Sequence, residues 1–323
     1  MGFTTLLLLG CRSTALEFGE LSAFVRRQGG RVHRSLAIAD PAPCGSRGVV
    51  AAQGIPENDA HTGPLVVVPA SLEINAARAR NALANVPGID DIDNVAVVVL
   101  WLATLDAERR RAKEDVFWGP YLRSLPQDIT ELPNGWAPLI SGDEARYEAL
   151  LDGAARGDAA TREMCNQEAN RAAAYASRVS HGLARDFGSS TGVDAADVCW
   201  ALGIVSSRAM GGSGDPTLVP LLDLCNHDAS GAPFTSFDTS GARVATRLSA
   251  RKRRAGDASS ASARTAVTDE NWRSDGDDWC LWSWRSGDPR ALAAGDEIYA
   301  DYGPEYSEPG EWFANTGFVP KEN

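Results

Sequence analysis

Between Leu16 and Ile74 the apolar residues come in short runs separated by turn formers. Gly29-Gly30-Arg31-Val32 reads as a turn, Leu36-Ala37-Ile38 as a short apolar run, and Pro41 to Gly48 as a loop rich in proline and glycine. Val49-Val50-Ala51-Ala52 resumes extended structure, and the β-branched run Leu65 to Val68 is closed by Pro69. This stretch is therefore expected to consist of strands and turns. From Ile92 the texture changes. Asn94 is placed to cap a helix running through Val95 to Leu105 into Glu108-Arg109-Arg110-Arg111. Trp118 to Pro126 reads as a proline-bounded loop carrying large aromatics, and Ala159 to Phe187 as a long helix closed by Gly188. Asp194 begins another helix, with Val198, Leu202 and Val205 on one face, ending at Gly211-Gly212.

Leu218 to Leu222 then reads as a short strand, and Trp279 to Trp284 and Glu297 to Tyr302 return to strand texture. Residues 240 to 278 lack apolar periodicity and contain Arg251-Lys252-Arg253-Arg254 and the Ser/Ala run Ala258 to Ala263. They are expected to form a solvated, disordered basic insert. No internal repeat is present. The pattern predicts an α+β fold with a helical insertion. Its expected segments are 1–15 (a candidate targeting or disordered stretch), 16–75 (strands), 76–190 (the helical insertion), 191–239 (core, with the Asp194 helix, a short strand and the Asn-His cluster), 240–278 (the insert) and 279–323 (closing strands).

Composition narrows the classes. The 323 residues are 44% hydrophobic and 23% charged, a globular balance that excludes wholesale disorder. The longest apolar run, Val95 to Leu105, is about half the ~20 residues a spanning helix needs. The net charge of −12 argues against nucleic acid or an anionic membrane as a partner and suits basic protein segments. Six cysteines without a C-x-x-C pair predict reduced thiols, no zinc site and an intracellular setting. Leu8-Leu9-Gly10-Cys11 loosely resembles a lipoprotein cleavage site, but no basic residue precedes it, so no signal peptide is expected.

Templates for serine hydrolases, zincins, P-loop NTPases and dinucleotide-binding folds are missing. Of the four histidines, His33, His61 and His181 have no convergent partner and are expected to be exposed or structurally satisfied. His227 differs, because the apolar run Val219 to Leu222 ends in Asp223-x-x-Asn226-His227. Polar groups beside a core strand need partners, so this cluster is either a capped turn or a site.

Other segments join it in a pattern. Pro220 to His227 resembles the P-x-x-D-x-x-N-H block of SET-domain protein methyltransferases, in the subgroup of the Rubisco large-subunit lysine methyltransferase and the actin-histidine methyltransferase. Gly45-Ser46-Arg47-Gly48-Val49-Val50-Ala51 resembles that family's glycine-containing N-terminal strand. Pro120-Tyr121-Leu122-x-x-Leu125-Pro126 resembles the stretch opening its helical insertion, and Ser207-Arg208-Ala209 the S-R-A before its Asn-His block. Gly295-Asp296-Glu297-Ile298 with Tyr302-Gly303, then Gly317-Phe318-Val319, resemble its closing series. Six blocks fall in order over roughly residues 30 to 320.

The resemblance implies a SET fold of small twisted sheets, with a C-terminal segment threaded beneath a loop as a pseudoknot. It implies S-adenosyl-L-methionine as cofactor and a lysine-bearing, non-histone protein as substrate. Gly45, Ser46, Arg47, Asn226, His227, Tyr302 and Phe318 would meet the cofactor, Asn226 at its methionine end and the His227 backbone at its adenine. Ser207 and Arg208 would lie near the substrate, Asp223 would brace the turn or lie near the substrate too, and Tyr302 would take the catalytic tyrosine position. Methyl transfer is an in-line displacement, so positioning supplies much of the catalysis. The target lysine must shed a proton from a reference pKa of about 10.4, which a narrow desolvating channel favours without a dedicated base. Three features depart from the family. Thr316 stands where a tyrosine usually precedes Gly-Phe, the basic insert is extra, and no helical substrate-binding domain follows within this sequence. A histidine methyltransferase and a non-catalytic protein-binding module stay open as alternatives. A cytoplasmic location, or a chloroplast in a photosynthetic organism, would suit the resemblance.

Overall fold

The computed structural model describes residues 17–40, 42, 47–56, 64–210, 214–227, 235–238, 279–285, 288–289, 291–300 and 308–319. Gly45, Ser46, His61, Tyr302, the 1–15 segment and the 240–278 insert lie outside them. The chain divides into two compact units. One takes the described residues up to Glu73 and from Val219 to Ala300; the other takes Ile74 to Leu218 and residues 308–319.

The first unit is built on short strands. β1 (Arg31–Val32), β4 (Val66–Val68), β7 (Trp279–Arg285) and β6 (Thr235–Asp238) form one sheet in that order, with β8 (Asp288–Pro289) pairing β7. All three β4 residues are buried, which explains their unbroken valine run. β2 (Leu36–Ala39) and β3 (Gly48–Ala51) pair antiparallel, Ile38 opposite Val49. Single bridges join Val50 to Glu297 and Ile55 to Leu292. Before the strands, residues 17–27 form helix α1, where extended structure was expected. Its buried Phe18, Leu21, Phe24 and Val25 recur at helical spacing, a period that outweighs the short-run texture around them. Gly29 and Gly30 turn the chain, and a Cβ on Gly30 would come within 2.6 Å of the Val25 side chain and 2.5 Å of the Val67 carbonyl.

The second unit is helical. α2 (Ala76–Ala82) precedes α3 (Asn94–Arg111), whose residues Val97 to Ala103 are all buried. The cap of α3 is Asp93, whose carboxylate accepts from the Ala96 N–H at 2.7 Å. Asn94, the expected cap, instead receives Arg80 and donates to the Gly214 carbonyl. The Trp118 to Pro126 segment is not a loop: Gly119–Ser124 form α4, because Pro120 sits in the first turn, where a missing N–H costs nothing. α5 (Ala137–Ser141) and α6 (Glu144–Ala155) follow. α7 (Ala159–Thr191) runs past Gly188 to Gly192, which holds φ +73° and donates to the Gly188 carbonyl. Gly188 is required for packing rather than termination, since a Cβ there would lie 2.7 Å from the Val193 carbonyl. α8 (Ala195–Arg208) opens with a capping box between Asp194 and Asp197 and stops at Arg208, short of the expected glycines.

Two further expectations change. Leu218 pairs only singly with Ile74, and the chain then turns through Leu221 into a 3-10 turn, Leu222–Leu224, instead of a strand. Near the C-terminus, α9 (Pro309–Thr316) stands where strand was expected, against α7 and α8 of the helical unit. No described helix is long and apolar enough to cross a membrane. Among the described residues no group of three or more metal-ligating side chains comes together.

Gly317 ends α9 at φ +76°, and a Cβ there would overlap the Pro133 carbonyl. Gly317→Ala is expected to cost about 1–3 kcal/mol through strained backbone and displaced Pro133, measured as a lower urea midpoint.

Candidate functional site

The Asp-x-x-Asn-His cluster lands on a short parallel pairing. β5 (Asn226–His227) lies beside β9 (Tyr299–Ala300), Asn226 opposite Tyr299 and His227 opposite Ala300. Leu221 sets up the turn that delivers them. It holds φ +74°, rare for a non-glycine residue, and stays there because its side chain is buried. Asp223 is buried within the 3-10 turn, and Cys225 beyond it is buried too. Burial pushes the Cys225 thiol far up, and the neighbouring Asp223 and Glu297 carboxylates push it further.

The Asn226 amide donates both of its hydrogens inward. One bond goes to the Arg47 carbonyl at 3.1 Å, the other to Glu297 Oε1 at 2.7 Å. Glu297 is only 3% exposed, and its second oxygen accepts from the Tyr299 hydroxyl at 2.9 Å. These partners fix which end of the amide is nitrogen and aim its oxygen elsewhere. Buried Gly48 closes the cluster: a Cβ on it would overlap the Asn226 amide and lie 2.6 Å from Glu297 Oε1. Only a glycine lets β3 run this close.

The residues expected to act together divide between the units. Arg47, Asn226, His227 and Asp223 belong to the strand unit, and Ser207, Arg208 and Phe318 to the helical one. Arg47 contributes its carbonyl to Asn226, while its guanidinium turns to Glu17 at 2.6 Å. His227 is placed by its backbone in β5. Ser207 and Arg208 form the last turn of α8, and the Ser207 hydroxyl donates to the Gly203 carbonyl at 2.7 Å. Phe318 is 37% exposed, its ring 5.7 Å from that of Trp312. Thr316, at the departure from the family pattern, spends its hydroxyl on the Trp312 carbonyl at 2.7 Å. Of the other histidines, His33 accepts from the Ser35 N–H and His181 bonds the Ser177 carbonyl, both local contacts. Gly45, Ser46 and Tyr302 lie outside the described residues.

Glu297 and Gly48 carry more of this cluster than the sequence reading gave them. Beside Ile298 an acid is either turned to solvent or buried against donors; the bridge to Val50 takes Glu297 inside, where Asn226 and Tyr299 supply them.

No family model and no curated protein matches the chain. Solved structures do. The SET domain of LSMT bound to lysine and AdoHcy superposes with a TM-score of 0.58 at 18% identity, over 94% of this chain and 57% of that one. Rubisco LSMT bound to sinefungin and monomethyllysine gives 0.57 at 19% identity, over 94% and 56%. Rubisco LSMT bound to AdoMet gives 0.56 at 19%, over the same shares. The chain therefore has a SET-like fold of helices and small sheets, and it spans little more than half the length of these proteins.

Glu297→Ala leaves the Asn226 amide and the Tyr299 hydroxyl without their shared acceptor and is expected to cost about 2–4 kcal/mol of stability. Glu297→Gln keeps one acceptor oxygen and is expected to cost about 1 kcal/mol. Equilibrium unfolding in urea measures both.

Proposed function

We propose that the chain is an S-adenosylmethionine-dependent protein-lysine N-methyltransferase acting on a non-histone protein. The observation that carries the reading is the Asn226 side chain, locked by Arg47 and buried Glu297 beside side-chain-free Gly48 in a SET-like fold. That arrangement fits a cofactor held through backbone and amide groups: the glycine strand leaves room for close approach, and the amide orientation is set before anything binds. The neighbouring structures, which hold AdoMet, AdoHcy, lysine or monomethyllysine, support the same substrate pair.

In this reading Gly45, Ser46 and Arg47 lie along the cofactor, Asn226 holds its methionine end, the His227 backbone meets its adenine, and Phe318 lies against it. When bound, S-adenosylmethionine supplies an electrophilic methyl group on its sulfonium. Ser207 and Arg208 offer carbonyls to the ammonium of the arriving lysine, and Asp223 braces the turn beneath. Tyr302 directs its hydroxyl at the target nitrogen and keeps the amine lone pair in line. Desolvation in the channel favours the neutral amine, so the rate is expected to rise with pH toward the lysine range. The parallel pairing of Asn226 with Tyr299 supports a C-terminal segment threaded as a pseudoknot, which would carry Tyr302 to Asn226.

A second reading, a SET module that binds proteins without catalysis, is favoured by Thr316. Its hydroxyl is tied to its own helix at the position where the family usually has a tyrosine.

Calorimetric titration of the full chain with S-adenosylmethionine separates the two. Saturable one-to-one binding, lost in Asn226→Ala while the fold is kept, is expected for the enzyme; no binding by the folded chain would leave the protein-binding module. For the catalytic step, Tyr302→Phe is expected to keep the fold and cofactor affinity and to lower methyl transfer by about a hundredfold. Transfer is read as tritium incorporated from labelled cofactor, and an unchanged rate would remove Tyr302 from the mechanism.

A further inference from the structure

Asn134 is fully buried in the helical unit, at 0% exposure, in the segment Leu132-Pro133-Asn134-Gly135 between α4 and α5. Its side-chain nitrogen makes two bonds. One hydrogen goes to the Ser206 hydroxyl at 2.9 Å, the other to the Asn315 carbonyl at 2.7 Å. Ser206 stands in the last turn of α8, and Asn315 in the last turn of α9. The final carbonyls of a helix have no partner inside it, so Asn134 caps α9 from outside while gripping α8 through a hydroxyl.

The surroundings are shaped for this grip. Gly135 donates its N–H to the Phe313 carbonyl at 3.0 Å, and a Cβ on it would lie 2.6 Å from that oxygen and from the Phe313 ring. Gly317 passes so close to Pro133 that no side chain fits. Gly203 of α8 leaves room first for the Leu132 side chain, which a Cβ there would overlap, and then for the Asn134 amide oxygen at 3.2 Å. Three glycines from three segments thus bring the Pro133-Asn134-Gly135 strap against both helix ends.

The Asn315 carbonyl demands a donor, which fixes the amide orientation, and Asn134 Oδ1 then has no hydrogen-bond partner among the described residues. A buried acceptor left unmet costs stability. What the amide provides in return is a defined position for two helix ends at once.

We infer that Asn134 is a positioning residue: it registers the α8 end, Ser207-Arg208, against the α9 end, Thr316-Gly317-Phe318. This inference rests on the functional reading above only in what those ends do, Ser207 and Arg208 facing the lysine and Phe318 the cofactor. The clamp itself is a property of the helical unit.

Two variants of the full chain test it. Asn134→Leu fills the space and removes both bonds; Ser206→Ala removes the α8 arm alone and spares the fold if the first variant does not. Hydrogen–deuterium exchange, which needs no ligand, reads the clamp. Faster exchange is expected at both 206–209 and 315–319 in Asn134→Leu, and at 206–209 alone in Ser206→Ala. Calorimetry then reads positioning with two probes, S-adenosylhomocysteine and, in its saturating presence, free L-lysine. Asn134→Leu is expected to weaken both probes by about three- to tenfold, and Ser206→Ala to weaken lysine alone. Unchanged exchange at both ends in each variant overturns the clamp. Raised exchange with unmoved probe affinities overturns the positioning role and leaves a structural one. A native chain that binds neither probe overturns the functional reading instead, and exchange still decides the clamp.

Discussion

One pair, the Asn226 amide on the buried Glu297 carboxylate, ties together parts of the strand unit that lie far apart along the chain. The two residues are 71 positions apart, and the same amide reaches the Arg47 carbonyl 179 positions away. A carboxylate with 3% exposure is expensive unless its oxygens are met, and here they are met by the amide and by the Tyr299 hydroxyl. Those donors are available only if β5 lies on β9 and Gly48 admits the side chains. The sheet registers and the polar cluster therefore enforce one another. Removing any member strands the rest, which makes the cluster a specifying device more than a source of net stability.

The helical unit solves a different problem with similar means. Its centre is α3, apolar on every side along Val97 to Ala103, so packing there is close but undirected. Direction comes from the helix ends. Asp93, Asp143, Asp158 and Asp194 each cap a helix start through a side-chain oxygen, and Gly142, Gly192 and Gly317 close helix ends in the left-handed region. The α8 and α9 ends that carry Ser207, Arg208 and Phe318 are fixed by a shared asparagine rather than by hydrophobic contact alone.

How much of this was legible depends on whether the determining contact is local. The strand runs at Val49 and Val66 and the long helices at Ala159 and Asp194 could be read from period and caps, because those signals sit within a few residues. α1 was missed although its period is local, because the short apolar runs and turns that follow Gly29-Gly30 set a strand-like texture for the whole stretch. The α4 stretch was missed because Pro120 reads as a breaker until its place in the first turn is known. At the candidate site the block Asp223 to His227 stood out as polar residues after an apolar run. Glu297 did not, since nothing beside it says that Asn226 and Tyr299 will supply donors. Gly203 and Gly135 were invisible for the same reason: what they make room for comes from other segments.

That distinction also separates the two units. Ile74 to Leu218 is one uninterrupted segment in which α6, α7 and α8 pack consecutively and α3 packs on α8, so these contacts need no residue after Leu218. The strand unit closes only when residues after Val219 arrive: β4 finds β7, and Trp279 reaches Glu73 across 206 positions. Loop-closure entropy must be met before such pairings reward it, and the intervening helical segment lowers that cost once it is compact. The Asn226–Glu297 bond needs β3, β5 and β9 in register together. A loss of register in any of those strands therefore breaks the candidate cluster.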